Sequence, residues 1–431
     1  MRDPMGVGAD RRRAALLKLY AVASAAVEGR SAVARALAGP VADEPLALIA
    51  IGKAAGSMAL GACDLHGRSI HRGLVISRAG HLEAELGHWP ALLCLEGDHP
   101  VPGAASLAAG AALEAFIAAT PAGSRVLVLV SGGASSLVES LAAGVTATEL
   151  ARLNEWGLGS GLPITALNGL RRRVSRLKGG RLARLLELHR AEALLISDVP
   201  GDDPAVIGSG LVAAAAAETL PADLPAWVRE LVLAERGLPA GASMPARIVA
   251  RLEDAFVAVA QAADQQGLLC RRLASRADGE VESCANRFAH ELALGTEDVL
   301  LWGGETTVCL PPTPGRGGRN QQFALAAARL LAGHNDLLIL AAGTDGSDGN
   351  SADAGAIVDG GTLARGRAAG LDPEAALAQA NAGPFLEAAG DLLYTGPTGT
   401  NVGDLMLGLR RAPLPPDDDE PGDAAVQGKE A

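Results

Sequence analysis

Two cations stand where a chain could work on an anion. Lys53 follows Gly52 at the end of the apolar run Leu46–Ile51, and Arg319 closes the glycine-rich stretch Gly315-Arg316-Gly317-Gly318 just before the helical pattern Phe323–Leu331. An arginine on a glycine hinge, at the positive end of a helix, is a place to hold an anion. An ammonium at a strand end can reach a phosphate or a developing alkoxide, although a solvated lysine at the first position of a helix has the same sequence. The segment Ser131-Gly132-Gly133-Ala134-Ser135 follows the clear strand Arg125–Val130. It suits phosphate, because glycine lets the backbone approach closely and the next helix favours negative charge. A plain tight turn between strand and helix has the same composition. Five loop carboxylates, Asp198, Asp202, Asp203, Asp345 and Asp348, are placed to hold Mg²⁺ or to take a proton from a hydroxyl. Mg²⁺ usually binds through one or two carboxylates plus substrate phosphates, so no dedicated motif is required. Asp and Gly also favour turns for purely local reasons.

Lysine is scarce. The chain has 33 Arg and four Lys, so a retained lysine is a candidate for a compact point charge that arginine cannot replace. Lys18 lies on an N-terminal helix and Lys429 in the tail, which leaves Lys53 and Lys178. The latter sits in a basic stretch, Leu167–His189, read as helical, whose spacing would aim Arg176 and Lys178 towards one pocket; a solvated basic face is the alternative. His99, ahead of Pro100, reads as a structural residue of a rigid turn.

The elements that must position these groups alternate strand and helix. Short apolar runs at 46–51, 73–77, 91–95, 125–130 and 193–197 are separated by helical patterns, which argues for parallel sheets covered on both faces. Four Gly- or Asp-rich loops (52–57, 131–136, 198–203 and 343–349) follow strands, at the end of an open sheet where ligands bind. Further on, 244–266 reads as helix, 268–273 as strand, 281–294 as helix, 306–310 as a short strand and 337–342 as another. Two helical segments, a short run at 392–394 and a last strand at 405–409 follow. The Pro-rich, weakly periodic stretch 221–244 is the expected boundary: a Rossmann-like domain over 1–240, a smaller α/β domain over 241–411, and an acidic disordered tail over 412–431.

Composition excludes several classes. At 431 residues, 49% hydrophobic and 3% aromatic, the chain has material for two or three domains with closely packed helices. A formal charge of −12 opposes nucleic-acid binding. Five scattered cysteines without CxxC spacing fit free thiols in a reducing cytosol. No signal peptide and no apolar run of about 18 residues is found, so a cytoplasmic protein without a membrane span is expected. The P-loop, a Gly-x-Gly-x-x-Gly after a strand and a Gly-x-Ser-x-Gly elbow are all missing.

Nine ordered motifs add up to a resemblance: 51–56 (IGKAAG), 97–102 (GDHPVP), 131–135 (SGGAS), 175–182 (SRLKGGRL), 197–202 (SDVPGD), 303–308 (GGETTV), 317–321 (GGRNQ), 344–349 (TDGSDG) and 398–402 (TGTNV). Over about residues 11–410 the chain resembles the glycerate 2-kinase family of the MOFRL type, whose members are often labelled hydroxypyruvate reductase. The resemblance implies two α/β domains, one Rossmann-like, with the active site in the cleft between them, and ATP- and Mg²⁺-dependent phosphorylation of D-glycerate to 2-phosphoglycerate. The family's active-site lysine falls on Lys53 and its arginine on Arg319.

On that basis ATP would set its phosphates against Ser131, Gly132, Gly133 and Ser135, with Lys178 in support. Asp198 or Asp202 would help hold Mg²⁺, and Asp198 or Asp345 would orient the 2-hydroxyl. Lys53 or Arg319 would stabilise the transferred charge, a cation such as Arg319 would hold the glycerate carboxylate, and the domains would close over both substrates. The expected partner is a small molecule, with no nucleic acid or membrane and room for a homodimer. An NAD(P)H-dependent hydroxypyruvate reductase is the rival, opposed by the missing dinucleotide fingerprint. The chain departs from the family pattern at Leu211, Gln322 and Gly403.

Overall fold

The computed structural model describes residues 7–39, 44–216, 220–221, 223–234, 236–334 and 336–410; the expected acidic tail lies outside them. Six strands form the first sheet: β1 (Leu46–Ile51), β2 (Ile70–Arg78), β3 (Leu92–Gly97), β4 (Arg125–Val130), β5 (Arg190–Ser197) and β6 (Ala246–Arg251). Their order is β3-β2-β1-β4-β5-β6 and every pairing is parallel, which is the Rossmann arrangement. All six residues of β1 are buried, as expected of a central strand covered on both faces.

The second sheet holds β7 (Cys270–Arg272), β8 (Val299–Gly304), β9 (Leu338–Gly343), β10 (Gly355–Asp359), β11 (Leu392–Leu393) and β12 (Asp404–Leu409), in the order β11-β10-β9-β12-β8-β7. Here the expectation of parallel sheets fails. β12 runs antiparallel to both β8 and β9, and β10 antiparallel to β9 and β11; only β7 and β8 are parallel. Between β9 and β10 there is a loop rather than a helix, and without a crossover helix the chain turns back on itself. The sequence reading passed over β10 altogether.

Three further expectations change. Residues 246–251 form a strand before the helix Leu252–Gln265, instead of joining it. The stretch read as one basic helix is broken into Ile164–Arg173 and Arg181–Leu185, because Gly179 and Gly180 take left-handed φ values of 66° and 82°. Residues 306–310 form no strand; Thr307 makes one isolated bridge to Glu280.

Strand β6, beyond the expected boundary at residue 240, completes the first sheet. The N-terminal helix Val7–Ala26 instead serves the second: the Tyr20 hydroxyl donates to the Gly343 carbonyl at 2.7 Å, and Arg13 pairs with Asp359 at 2.8 Å and Asp391 at 2.5 Å. One apolar cluster runs continuously from Leu48 and Ala50 of β1, through Leu16, Tyr20, Phe256 and Val259, to Leu340 and Leu405 of the second sheet. The two sheets thus share a core layer.

Candidate active site between the two sheets

The C-terminal ends of β1, β4 and β5 meet the end of the second sheet where β8 and β9 finish and β12 begins. Register puts Asp404 opposite both Gly304 and Gly343. The loops read as ligand-facing are therefore brought together from both sheets.

The first sheet contributes a tightly built floor. Gly52 has φ 134°, and a Cβ there would lie 2.1 Å from the Ser131 hydroxyl, so only glycine lets β1 and β4 end side by side. The Lys53 amide donates to the Gly132 carbonyl at 2.9 Å, and the Ala54 amide to the Ser131 hydroxyl at 3.0 Å. Ser131 thus fixes the turn from inside. Gly132 approaches the opposite wall: a Cβ on it would meet Asp198 Oδ2 at 2.1 Å and Asn401 Nδ2 at 2.0 Å. Ser135 shares a hydrogen bond of 2.7 Å with Ser209.

Lys53 crosses the cleft. Its Nζ lies 2.6 Å from Asp345 Oδ2, with side-chain exposures of 14% and 7%, so both ions are largely screened from water and still open to the cleft. Asp345 Oδ1 accepts from the Ser347 amide at 2.9 Å. Burial pushes the Asp345 pKa up, but Lys53 and the Ser347 amide outweigh it and hold the carboxyl below its ordinary value. His99 faces the same corner, its ring within 3.4 Å of where a Gly133 Cβ would stand. Burial, then Lys53 and Arg78, push the His99 pKa down to about 3, so the ring is neutral.

Arg319 begins the helix Arg319–Leu331 with Gly318 as its cap, as expected. The anion-binding helix end, however, is already taken. Asp348 accepts from the Asn320 and Gln321 amides at 3.1 and 2.8 Å and so caps the helix from 28 residues downstream. Its carboxyl is fully enclosed, and burial pushes its pKa up to about 7. The Arg319 guanidinium is held by Asp404 (Nε to Oδ2, 2.5 Å) and Glu305 (Nη1 to Oε1, 2.7 Å). Asn320 Nδ2 links Asp404, at 2.9 Å, to Asp348, at 3.3 Å. Burial alone would lower the Arg319 pKa, but Asp404 and Glu305 raise it. Its charge is permanent.

Asp198 lies between the two groups. Its main-chain carbonyl accepts from Arg276 at 3.0 Å and its Oδ2 from Asn401 at 3.3 Å. Burial, reinforced by the charge of Glu305, pushes its pKa up to about 6. Asp202 does not join it; its carboxylate faces Arg251 at 3.4 Å. Lys178 is also elsewhere, fully buried beneath the first sheet's flank in an ion pair with Glu139, whose other oxygen accepts from Ser175 at 2.6 Å. Its expected contact with nucleotide has no opening to cleft or solvent. Arg176 turns outward to Glu114 at 3.0 Å. Sequence reasoning missed Glu305 and Asp404 as holders of Arg319, Asp348 as a helix cap, and Arg78, Arg276 and Asn401 as wall residues.

Comparison with known proteins settles the lineage. A domain of unknown function (DUF4147) matches residues 15–236, and the MOFRL family matches 298–404. D-glycerate 2-kinase of Thermotoga maritima is 33% identical over 380 residues, covering 84% of this chain and 90% of that protein. The chain belongs to the MOFRL glycerate kinase family. The crystal structure of glycerate kinase from Thermotoga maritima superposes with a TM-score of 0.77 at 29% identity, covering 93% of this chain and all of that one. An Agrobacterium vitis relative, 35% identical over 83% of this chain and 97% of its own length, bears the provisional name of a hydroxypyruvate reductase. Among the described residues no helix is long and apolar enough to cross a membrane.

Proposed function

We propose that this protein is a glycerate 2-kinase, transferring the γ-phosphoryl group of ATP to the 2-hydroxyl of D-glycerate. The observation that carries the reading is the pairing of Lys53 with Asp345 across the cleft, at 2.6 Å, facing Arg319 held between two carboxylates. Phosphoryl transfer needs positioning and fixed positive charge more than covalent chemistry. Lys53 is an ammonium whose carboxylate partner, Asp345, can give it up to phosphoryl oxygens. Arg319 is a rigid fork aimed by Asp404 and Glu305. The Ser131–Ser135 turn offers its backbone to the nucleotide phosphates, with Gly132 and Gly133 keeping side chains out of the way.

Asp198, with its carboxyl pushed up to about 6, is ionised at neutral pH yet poised to accept a proton from the substrate hydroxyl. Asp345 orients Lys53. The alternative role for Asp198 is as a metal ligand, with Asp345 then facing the hydroxyl: it is a buried carboxylate repelled by Glu305, and among the described residues neither of its oxygens pairs with a protein cation. Mg²⁺ commonly arrives with substrate phosphates and takes one or two carboxylates. Mg²⁺ held by Asp198 with Glu305 would supply charge neutralisation on the β- and γ-phosphates.

The reading is tested by following ADP release with D-glycerate, ATP and Mg²⁺, alongside NADH oxidation with hydroxypyruvate. Glycerate-dependent ADP release with NADH untouched is expected; NADH oxidation without ADP would replace the kinase by the reductase.

A further inference from the structure

The cleft's charges are unevenly spent. At the second-sheet end, Arg319 is bonded to Glu305 and Asp404, so that corner carries more negative than positive charge. At the β1 corner Lys53 is matched by Asp345, and His99 and His81 both have pKa values pushed down by burial, which leaves them neutral. Arg276 is turned to the Asp198 carbonyl. That leaves Arg78.

Arg78 is the last residue of β2, beside β1 in the sheet, so its side chain leaves the C-terminal edge next to Lys53. It is half-buried. Among the described residues its side chain makes one hydrogen bond, a long one, 3.4 Å from Nη1 to the Ser347 hydroxyl, and that hydroxyl in turn donates to Asp345 at 3.2 Å. Among the described residues no carboxylate lies within ion-pair distance of it, whereas Arg319 in the same cleft is paired with two. A guanidinium kept at a ligand-facing sheet end and left without a carboxylate is a receptor for one.

Resting on the glycerate reading, we propose that Arg78, and not Arg319, binds the carboxylate of the hydroxy-acid substrate. A carboxylate brought to Arg319 would meet Glu305 and Asp404 as well, whereas at Arg78 the nearest carboxylate is Asp345, already neutralised by Lys53. The arrangement makes the acceptor a short 2-hydroxy acid: the carboxylate on Arg78 leaves the adjacent hydroxyl to face the Lys53 and Asp198 side of the cleft.

The test is steady-state kinetics of Arg78→Met and Arg78→Lys with D-glycerate, ATP and the uncharged amide of D-glycerate. Losing a charge-assisted pair should raise KM for D-glycerate roughly 10- to 100-fold in Arg78→Met. KM for ATP should stay within about twofold and activity on the amide should fall far less than activity on the acid, so the acid-over-amide preference collapses. Arg78→Lys should fall between, since a point charge replaces the fork. Melting midpoints of both variants check folding, and the weak native contact gives no reason for them to move. An unaltered KM for D-glycerate in Arg78→Met, or a rise shared equally by ATP, overturns the assignment while wild-type activity leaves the kinase standing. A wild type inert toward D-glycerate overturns both.

Discussion

Replacing Lys178 by Met separates a buried structural cation from a ligand-binding one. The Lys178 and Glu139 side chains are 0% and 1% exposed, and Glu139 is also bonded to Ser175 and the Ser140 amide. Removing one partner of a buried pair leaves the other charge uncompensated, which costs about 3–5 kcal/mol. At roughly 2–4 °C per kcal/mol for a unit of this size, the melting midpoint should fall by about 6–20 °C. Differential scanning calorimetry of wild type, Lys178→Met, Glu139→Gln and the double variant measures it. The double variant should recover much of the loss, because methionine beside glutamine leaves no buried charge. At temperatures well below the transition, KM for ATP in Lys178→Met should match wild type within about twofold. A variant with an unmoved melting midpoint and a KM for ATP raised tenfold would refute the structural role and return Lys178 to the nucleotide site.

Two other expectations follow from the cleft. With the Asp198 pKa raised to about 6 by burial and by Glu305, the carboxylate that accepts the proton is present above that pH and lost below it; kcat/KM should therefore fall about tenfold per pH unit below 6 and level off above. Asp198→Asn should abolish that limb along with most activity, and a pH profile flat from 5 to 7 in wild type would count against Asp198 as the base. Asp404→Asn keeps the shape but removes the charge that aims Arg319, and a misplaced guanidinium costs up to roughly 100-fold in kcat; measured kcat within twofold of wild type would show that Glu305 alone suffices to hold Arg319.

Much of the site could be read from sequence because its signals are local. Gly52-Lys53 ends an all-apolar strand, Ser131-Gly132-Gly133 joins strand to helix, and Gly318-Arg319 opens a helix. Each element's end fixes where its side chain goes. What escaped depends on partners far along the chain. Glu139 lies 39 residues from Lys178, and nothing in the basic spacing around Lys178 reveals that it turns inward. Asp348 reads as one more turn aspartate, although it caps a helix 28 residues earlier. Asp404 follows the departure at Gly403 and drew no role from the sequence, yet it is the residue that aims Arg319. The direction of β12 was equally hidden: six buried residues in a row show that a strand is central, not which way it runs.

The most direct test of the central claim is ³¹P NMR of the reaction of D-glycerate with ATP and Mg²⁺, run with wild type and with Lys53→Met. The cleft predicts 2-phosphoglycerate and ADP in equal amounts from wild type. In Lys53→Met the same product should form at a rate lower by roughly 100- to 1000-fold, as when one preorganised group facing the developing charge is lost. Phosphate appearing on the 3-hydroxyl, or an undiminished rate in Lys53→Met, would contradict the placement of substrate and cation proposed for this cleft.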